Sequence, residues 1–438
     1  MLDTPAQTDR PTVALLPWGN VLEDFLEMAD MSLEEFLGDF VGSWFFGYVE
    51  ATARVGVRTV PVCVSRQVRA PRHERHGATG VEIVLLPPAW AYRRLSPHFL
   101  NPYGRNVEQV FGEVPRPLRP ALVPLREMVL YLPTPPLVLA KELRRLGCDA
   151  ILCQEYEYPR FDLCVAVGKL TGLPVFASFQ GGDYQRSRLE RLTRPIAVRS
   201  ARGLIVPTLS EAERVRRVYG VDERRVAQIF NPVDTDVWRP GGREEARRRL
   251  DLPAGARVVA WHGRISVVKK GLDVLVEAWR TICRARPEED LRLLLVGAGH
   301  HSDELARLLS APDIRGVHRV PRLVHDRAEL RDLLVVADAY AFPSRLEGFA
   351  VALVEAMACG LPPVAADASG VREILGVDSA GTLVPRDDAE SLAQGLLELL
   401  DDPQAARERG AAARRRVETA FSLDHVGAQL RELFFPAS

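Results

Sequence analysis

Two glutamates interrupt one apolar stretch, SRLEGFAVALVEAMACGLP (344–362). Glu347 precedes the apolar run and Glu355 lies inside it. The segment predicts a helix that begins near Glu347. The backbone N–H groups of Gly348 and Phe349 would then lie at the N-terminus of this helix, where the helix dipole also favours a carboxylate. Glu355 would then lie about 80° around the helix and about 12 Å along it. The spacing predicts that the two carboxylates contact different parts of one ligand; the alternative is one capping glutamate and one surface glutamate.

Three cations crowd the segment HGRISVVKKG (262–271), which follows the predicted strand RVVAWHG. They are Arg264, Lys269 and Lys270, and the whole chain contains only four lysines. An arginine fork beside a compact ammonium suits a diphosphate. We interpret this segment as a diphosphate-binding loop, the alternative being a solvated basic loop.

Three other segments carry weaker patterns. PWGN (17–20) follows the first predicted strand, and Gly19 there would let a diphosphate approach the backbone, although a simple strand-to-helix turn explains it as well. GAGHHS (297–302) resembles part of a dinucleotide signature, but Ser302 stands where the third glycine belongs. The Asp-x-Asp pair in DTD (234–236) is interpreted as turn chemistry rather than a metal site.

Length and composition limit the classes of function. The chain has 438 residues, which suits two domains, and its formal net charge of −1 gives no bulk attraction to nucleic acid. The six cysteines show no metal-ligand spacing and are predicted to be reduced and buried. The N-terminus lacks a signal pattern and no apolar run is long enough to span a bilayer, so we expect a cytoplasmic protein.

Short strands rich in Val, Ile and Leu alternate with amphipathic segments along the chain, which predicts α/β architecture with parallel sheets. The pattern restarts after a Pro- and Gly-rich stretch, so the fold class is two Rossmann-like doubly wound domains. Residues 88–135 are predicted to form a loop-rich insertion. The predicted divisions are an N-terminal acceptor domain (1–230), a linker (231–245), a C-terminal donor domain (246–420) and a final helix (421–438) that packs back on the first domain.

The second half resembles the donor domain of the retaining, GT-B-fold glycosyltransferases of family 4. The resemblance covers most of residues 203–420 and runs in order through IVPTLSEAERV, NPVDTDVWRP, GRISVVKKGLDVLVEAW, LLLVGAG and GTLVPRDDAESLA. Its most specific element is the E-x7-E motif formed by Glu347 and Glu355. The resemblance implies two domains facing across a cleft, a nucleotide diphosphate sugar as donor and a hydroxyl compound as acceptor. No cofactor and no catalytic metal are expected.

The resemblance also implies roles for single residues. Glu347 and the backbone of Gly348, Phe349 and Ala350 would contact the transferred sugar, and Glu355 the ribose hydroxyls. Arg264 and Lys270 match the cations that hold the diphosphate, with Lys269 as an extra cation. The residues expected to act in catalysis are therefore Arg264, Lys270 and Glu347, and Gly19 is added to the donor-binding set.

The acceptor side departs from the family pattern. In FASFQGGD (176–183), Gln180 stands where many relatives carry a histidine, and glutamine cannot act as a general base. Front-face transfer, in which the leaving phosphate takes the acceptor proton, does not need that histidine. Asn20, Gln180 and Asp183 are expected to contact the acceptor or the sugar.

The segment YQRSRLERLTRPIAVRSAR (184–202) contains six arginines and one glutamate. Such a helix could make weak peripheral contact with an acidic membrane or bind an anionic acceptor. The alternative is a solvated helix in a chain that uses arginine for nearly all its cations.

Three rival functions remain open from the sequence. An NAD-dependent oxidoreductase would use GAGHHS, but the glycine signature is incomplete. A non-catalytic sensor of sugar nucleotides is a second alternative, against which the presence of both the glutamates and the cations counts. A GT-B epimerase would share the donor site and differ only in its product.

Overall fold

The computed structural model describes residues 10–181, 187–376 and 380–436, without the side chains of residues 43 and 44. The chain divides into two compact units. Within the described residues, the first unit comprises residues up to 40, 48–229 and from 427 onwards, and the second comprises 41–47 and 230–426.

The first unit is built on an eight-stranded sheet in the order β3-β4-β2-β1-β5-β6-β7-β8, in which β3 alone is antiparallel to its neighbour. Val13 of β1 pairs with Thr59 of β2 and Ala150 of β5, so β1 is central and fully buried. The strands are β1 (Thr12–Leu16), β2 (Arg58–Val64), β3 (Arg72–Arg75), β4 (Glu82–Leu86), β5 (Ala150–Gln154), β6 (Val175–Ser178), β7 (Gly203–Val206) and β8 (Val226–Gln228).

Helices cover both faces of this sheet, as continuous apolar strands require. Their bounds are α1 (Leu22–Ala29), α2 (Leu33–Gly38), α3 (Ser43–Arg54), α4 (Trp90–Leu95), α5 (Val107–Phe111), α6 (Arg119–Met128), α7 (Pro136–Arg145), α8 (Pro159–Thr171), α9 (Arg188–Ser200) and α10 (Leu209–Tyr219), with 3₁₀ turns at Ser96–His98, Arg116–Leu118 and Glu223–Arg225. The prediction of a loop-rich insertion at 88–135 was wrong in part, because α4, α5 and α6 occupy much of it. These helices are short and the segment contains several prolines, so no helical periodicity of apolar residues can be recognised in the sequence.

The second unit contains a six-stranded, all-parallel sheet in the order β11-β10-β9-β12-β13-β14. The strands are β9 (Arg257–His262), β10 (Leu291–Val296), β11 (Val317–Val320), β12 (Ala339–Phe342), β13 (Pro363–Ala366) and β14 (Thr382–Val384). The helices are α11 (Arg243–Arg249), α12 (Val267–Lys270), α13 (Leu272–Ala285), α14 (Ser302–Leu309), α15 (Arg327–Val335), α16 (Val351–Ala358), α17 (Val371–Leu375), α18 (Ala389–Asp401), α19 (Pro403–Ala420) and α20 (Leu423–Phe434). The predicted fold class, two Rossmann-like α/β domains, is confirmed.

The stretch predicted as a linker, 231–245, lies in the second unit. Val233 bridges Ser422, Trp238 is buried and α11 begins at Arg243. The Asp-x-Asp pair forms a turn, with Asp234 Oδ1 accepting from the Asp236 backbone N–H at 2.9 Å.

Helix α20 contributes residues to both units. In the first unit, the Arg431 guanidinium donates to the Val55 carbonyl, and the Phe434 ring lies edge-on to Phe176 with 5.0 Å between centroids. Aromatic contacts of this kind anchor the last turn of a helix.

The strand order fixes where a ligand site belongs in the second unit. From β9 the chain adds β10 and β11 on one side, and then crosses to add β12, β13 and β14 on the other. In open α/β sheets, ligands bind beyond the carboxyl ends of the strands at such a switch point. A ligand site of the second unit is therefore expected at the loops after β9 and β12.

Candidate functional site

The segments after β9 and β12 contain all the donor-binding residues that the sequence predicted in the second unit. Because β9 and β12 are parallel neighbours, their carboxyl ends lie side by side. The loop and short helix after β9 carry the three cations, and the segment after β12 carries both glutamates and the glycine-rich turn: Arg264, Lys269, Lys270, Glu347, Gly348, Phe349, Ala350 and Glu355.

Lys270 and Glu347 form an ion pair that the sequence did not predict. The Lys270 Nζ donates to Glu347 Oε1 at 2.7 Å and to Oε2 at 2.9 Å. The Glu347 side chain is only 7% exposed, whereas that of Lys270 is 21% exposed. A buried carboxylate requires such a partner. The pair therefore fixes the first glutamate of the motif next to the end of α12.

The segment around Glu347 differs from the predicted helix. Helix α16 begins at Val351 with Ala350 as its cap, so Glu347, Gly348 and Phe349 precede it in irregular chain with a bend at Gly348. The prediction of a helix from residue 347 was therefore wrong, and the 80° and 12 Å offset of Glu355 rested on that assumption. The backbone of residues 347–349 therefore forms a non-helical turn after the carboxyl end of β12.

Phe349 holds this turn against the core. Its ring lies 6.0 Å from that of Phe230 and 6.1 Å from that of Phe421, centroid to centroid. With the side chain packed inward, the backbone of the turn is held at the edge of the sheet.

Glu355 belongs to a second buried chain of hydrogen bonds. His262 Nε2 lies 3.1 Å from Glu355 Oε2, and the Tyr340 hydroxyl lies 3.1 Å from His262 Nδ1. Burial raises the pKa of Tyr340 well above its ordinary value, and the charges of Glu355 and Glu347 act in the same direction. The phenol therefore stays protonated, and its hydroxyl also lies 3.5 Å from the His262 carbonyl oxygen. One oxygen of Glu355 is thereby held by the protein.

The sequence analysis missed His262 and Tyr340. His262 ends β9 immediately before Gly263, a position that faces a switch-point ligand site, and this would have been the signal. Tyr340 lies inside β12 and gave no signal, since a tyrosine in a buried strand usually serves packing.

Arg345 ties the two loops together. Its Nη1 and Nη2 donate to the two Asp273 oxygens at 2.7 and 2.8 Å, and its Nη1 also donates to the Val268 carbonyl. Its backbone N–H donates to the Lys269 carbonyl at 3.1 Å. Although burial acts to raise it, these arginine bonds hold the pKa of the Asp273 carboxyl below its ordinary value. A bidentate pair of this kind fixes geometry as well as charge.

Replacing Arg345 by alanine is expected to lower the free energy of unfolding by about 1 kcal/mol, the modest value of a partly exposed pair. Because the folded-state pKa of Asp273 is depressed, the stabilisation is present above the carboxyl's ordinary pKa and is lost as pH falls through the folded value. Urea unfolding at pH 7 and pH 3 measures it. A difference between wild type and variant that is equal at both pH values would contradict this role of the ion pair.

The glycines of GAGHHS serve chain packing. A Cβ on Gly297 would overlap the Gly263 carbonyl oxygen, and one on Gly299 would overlap that of Ile265. The Ile265 N–H donates to the Ala298 carbonyl at 2.9 Å. The glycines thus let the loops after β9 and β10 run in contact, which accounts for them without a dinucleotide.

The first unit places its predicted residues at the carboxyl ends of β1 and β6. Gly19 has φ +96°, a conformation that favours glycine, and the buried Asn20 follows it. Arg160 donates to the Asn20 carbonyl and holds this turn. Gln180 follows β6, and Asp183 lies outside the described residues.

Gln180 is held by Glu155, a residue that the sequence analysis overlooked. The Gln180 backbone N–H donates to Glu155 Oε2 at 3.0 Å, and its Nε2 donates to Ser178 Oγ at 3.0 Å. Glu155 is fully buried with φ +80°, a strained conformation for a residue with a side chain. Tyr48 also bonds the Gln180 side chain. Strain that is held in place this way is common at functional sites.

Two family models together match most of the chain. The model described as "Glycosyl transferases group 1" matches residues 242–416, and the model described as "Glycosyltransferase Family 4" matches residues 74–237. The chain belongs to glycosyltransferase family 4. The E-x7-E glutamates and the cation loop of this family member lie inside the first of these matches.

Curated relatives match over part of their length. A D-inositol 3-phosphate glycosyltransferase of Thermobispora bispora is 33% identical over 262 residues, which is 58% of this chain and 61% of the relative. The protein of the same name from Kineococcus radiotolerans is 36% identical over 237 residues, which is 50% of this chain and 54% of the relative. The matches thus span less than two thirds of these relatives.

Solved structures share the fold over nearly the whole chain. A sucrose-phosphate synthase from Thermosynechococcus elongatus has a TM-score of 0.67 and 20% identity, covering 97% of this chain and 98% of its own. Anabaena HepE, solved in complex with UDP-glucose, has a TM-score of 0.62 and 16% identity, covering 96% and 98%.

Among the described residues, no helix is long and apolar enough to cross a membrane. In the same part of the chain, no three His, Cys, Asp or Glu side chains are grouped as a metal site would require. The six cysteines are free and buried, as predicted.

Proposed function

We propose that this family 4 chain transfers a sugar from a nucleoside diphosphate sugar to a hydroxyl acceptor, with retention of anomeric configuration. The observation that carries the proposal is the pairing of Lys270 with Glu347 beside the His262–Glu355 pair, at the switch point of the second sheet. Cations and carboxylates held together at one sheet edge suit a ligand with both a diphosphate and hydroxyl groups.

Each group has a separate task in this proposal. Lys270 uses two of its ammonium donors on Glu347, which leaves one for a phosphate oxygen. Arg264, exposed on the preceding loop, adds a planar fork for the same diphosphate. The two cations stabilise the charge that develops as the diphosphate leaves. Glu347 accepts from sugar hydroxyls and the backbone of the turn at Gly348–Ala350 contributes further bonds.

The acceptor proton passes to the leaving phosphate in this scheme, so no side-chain base is required. Gln180 fits it because an amide can position a hydroxyl but cannot take its proton. Uridine is the base we favour, since the HepE structures were solved with UDP and UDP-glucose. The names of the curated relatives make an inositol phosphate the first acceptor to test.

Donor specificity is tested by thermal unfolding with a panel of UDP-, GDP- and ADP-sugars and NADH. Ligands that bind only the folded protein raise its stability by RT ln(1 + [L]/Kd). Stabilisation by one nucleoside diphosphate sugar and none by NADH is expected. Stabilisation by NADH alone would favour the oxidoreductase instead.

Glu355→Gln is expected to weaken binding of the nucleoside diphosphate about tenfold or more, because a hydrogen bond to a charged acceptor contributes about 1.5–3 kcal/mol. His262→Phe should act in the same direction, since Glu355 loses the bond that orients it. Tyr340→Phe, which removes only the outer bond of the chain, is the matched control and should change affinity little. Calorimetric titration measures all three; an unchanged Kd for Glu355→Gln would exclude the ribose role.

A further inference from the structure

Two neighbouring helices of the first unit expose large apolar side chains. On α9, Leu192 is 71% exposed and Ile196 is 59% exposed. Leu118, Val123 and Met128, at and within α6, are also exposed. Single exposed apolar residues are ordinary, but a group on adjacent elements marks an interaction surface.

Hydrogen bonds place α6 against α9. The Leu189 backbone N–H, in the first turn of α9, donates to Glu127 Oε2 in α6 at 3.0 Å. Tyr131, just beyond α6, places its hydroxyl 2.8 Å from Thr193 Oγ1 of α9. The exposed side chains of the two helices therefore belong to one stretch of surface, which we call the α6–α9 face.

Arginines share this face with the apolar residues. Arg188, Leu192, Ile196 and Arg199 are spaced by four, four and three residues, so they lie along one side of α9, and both arginines are exposed. Arg191 is exposed beside them.

The acidic residues near the α6–α9 face do not cancel its positive charge. Glu190, the one acid of α9, is buried, and Glu127 is bound to Arg126 and the start of α9. At the start of α6, Arg119 pairs with Glu108, and before the helix Glu113 and Arg116 are both exposed. The exposed charge on α9 itself is wholly positive.

This combination argues against the solvated helix that the sequence left open as the alternative for residues 184–202. A solvated helix has polar residues on its outer side, whereas α9 presents leucine and isoleucine there between arginines. A second copy of the chain would bring like charges together, which disfavours self-association. An outward helix face that carries both cationic and large apolar side chains is typical of helices that lie in a membrane interface.

We infer that the α6–α9 face binds peripherally to a bilayer surface rich in anionic phospholipid. The arginines contact phosphodiester headgroups, and Leu192 and Ile196 insert among the upper acyl carbons. The inference concerns residues 116–128 and 187–200 alone and does not depend on the proposed transferase activity.

Co-sedimentation of the full chain with vesicles tests it, using pure phosphatidylcholine and an equal mixture of phosphatidylcholine with phosphatidylglycerol. Binding to the anionic vesicles should exceed binding to the neutral ones at least about tenfold and should weaken in high salt, which screens the arginine contacts. Equal binding to both vesicles, or none to either, would overturn the inference.

Two double variants assign the binding to the face. Arg188→Gln/Arg191→Gln should lower the partition coefficient about 25-fold, since each cation near an anionic surface contributes about fivefold. Leu192→Ser/Ile196→Ser should lower it about tenfold or more and remove the part that persists in high salt. Both pairs are exposed, so thermal unfolding should confirm intact folding.

Arg407→Gln/Arg415→Gln, which removes two exposed arginines of α19 in the second unit, is the charge-matched control and should leave binding unchanged. Loss of binding equal to that of the α9 variants would overturn the inference, because it would indicate a general charge effect. Sedimentation velocity of the wild type adds a second check. A dimer that Leu192→Ser/Ile196→Ser dissociates would also overturn it, by assigning the face to self-association.

Discussion

Lys270→Ala is expected to lower kcat/KM for sugar transfer by at least about hundredfold, a loss of about 3 kcal/mol in transition-state stabilisation. Lys270 is the cation in contact with Glu347, and its loss also leaves that carboxylate buried without its partner. The loss should fall mainly on kcat, because the charge on the departing diphosphate is greatest in the transition state. Release of nucleoside diphosphate from the donor identified by thermal screening measures it.

The adjacent Lys269 is the matched control. It carries the same charge one residue earlier, but its side chain is exposed. Lys269→Ala should therefore retain activity within about fivefold, because a solvent-exposed charge is screened by salt. Equal losses in both variants would indicate that only the net charge of the loop matters, and normal activity in Lys270→Ala would contradict its assigned role.

Gly271→Ala is expected to lower the free energy of unfolding by at least about 3 kcal/mol. Gly271 ends α12 at φ +63°, and a Cβ there would overlap the Pro343 carbonyl oxygen. Because that carbonyl begins the segment bearing Glu347, relief of the clash must separate the two loops of the site. Urea unfolding measures the loss of stability. Under conditions in which the variant remains folded, titration should show that it binds the donor more weakly than the wild type.

Substitution of Gly220 is the control that separates the steric clash at Gly271 from the cost of the backbone conformation. It ends α10 at φ +65°, almost the same conformation, but a Cβ there would meet no heavy atom within 4 Å. Gly220→Ala should therefore cost about 1 kcal/mol, the penalty for the left-handed conformation alone. Equal costs at the two positions would show that the close approach of Pro343 contributes nothing.

Local sequence patterns predicted the architecture because buried strands and amphipathic helices each have a characteristic spacing of apolar residues. They also predicted that the candidate site lies on the loops after β9 and β12, since Glu347, Glu355 and the unusual lysine pair are polar residues that follow strand ends. The predicted start of α16 was wrong because the apolar run has no capping side chain to mark the N-terminus of the helix.

Partnerships between distant residues could not be read from the sequence. His262 and Glu355 are 93 positions apart, and Lys270 and Glu347 are 77 apart. Such contacts arise only when parallel strands bring their carboxyl ends together, and the strand order is a property of the whole sheet. For the same reason, nothing in the local sequence indicated that Glu155 holds the backbone of Gln180.

The most direct test of the proposed function is proton NMR of the transfer reaction, run with the donor that thermal screening selects and an inositol phosphate or simple polyol acceptor. The account predicts a new anomeric signal with the same configuration as the donor sugar, formed as free nucleoside diphosphate accumulates. A product of inverted configuration would contradict the retaining mechanism. An epimerised sugar nucleotide, or NADH oxidation without any glycoside, would contradict sugar transfer itself.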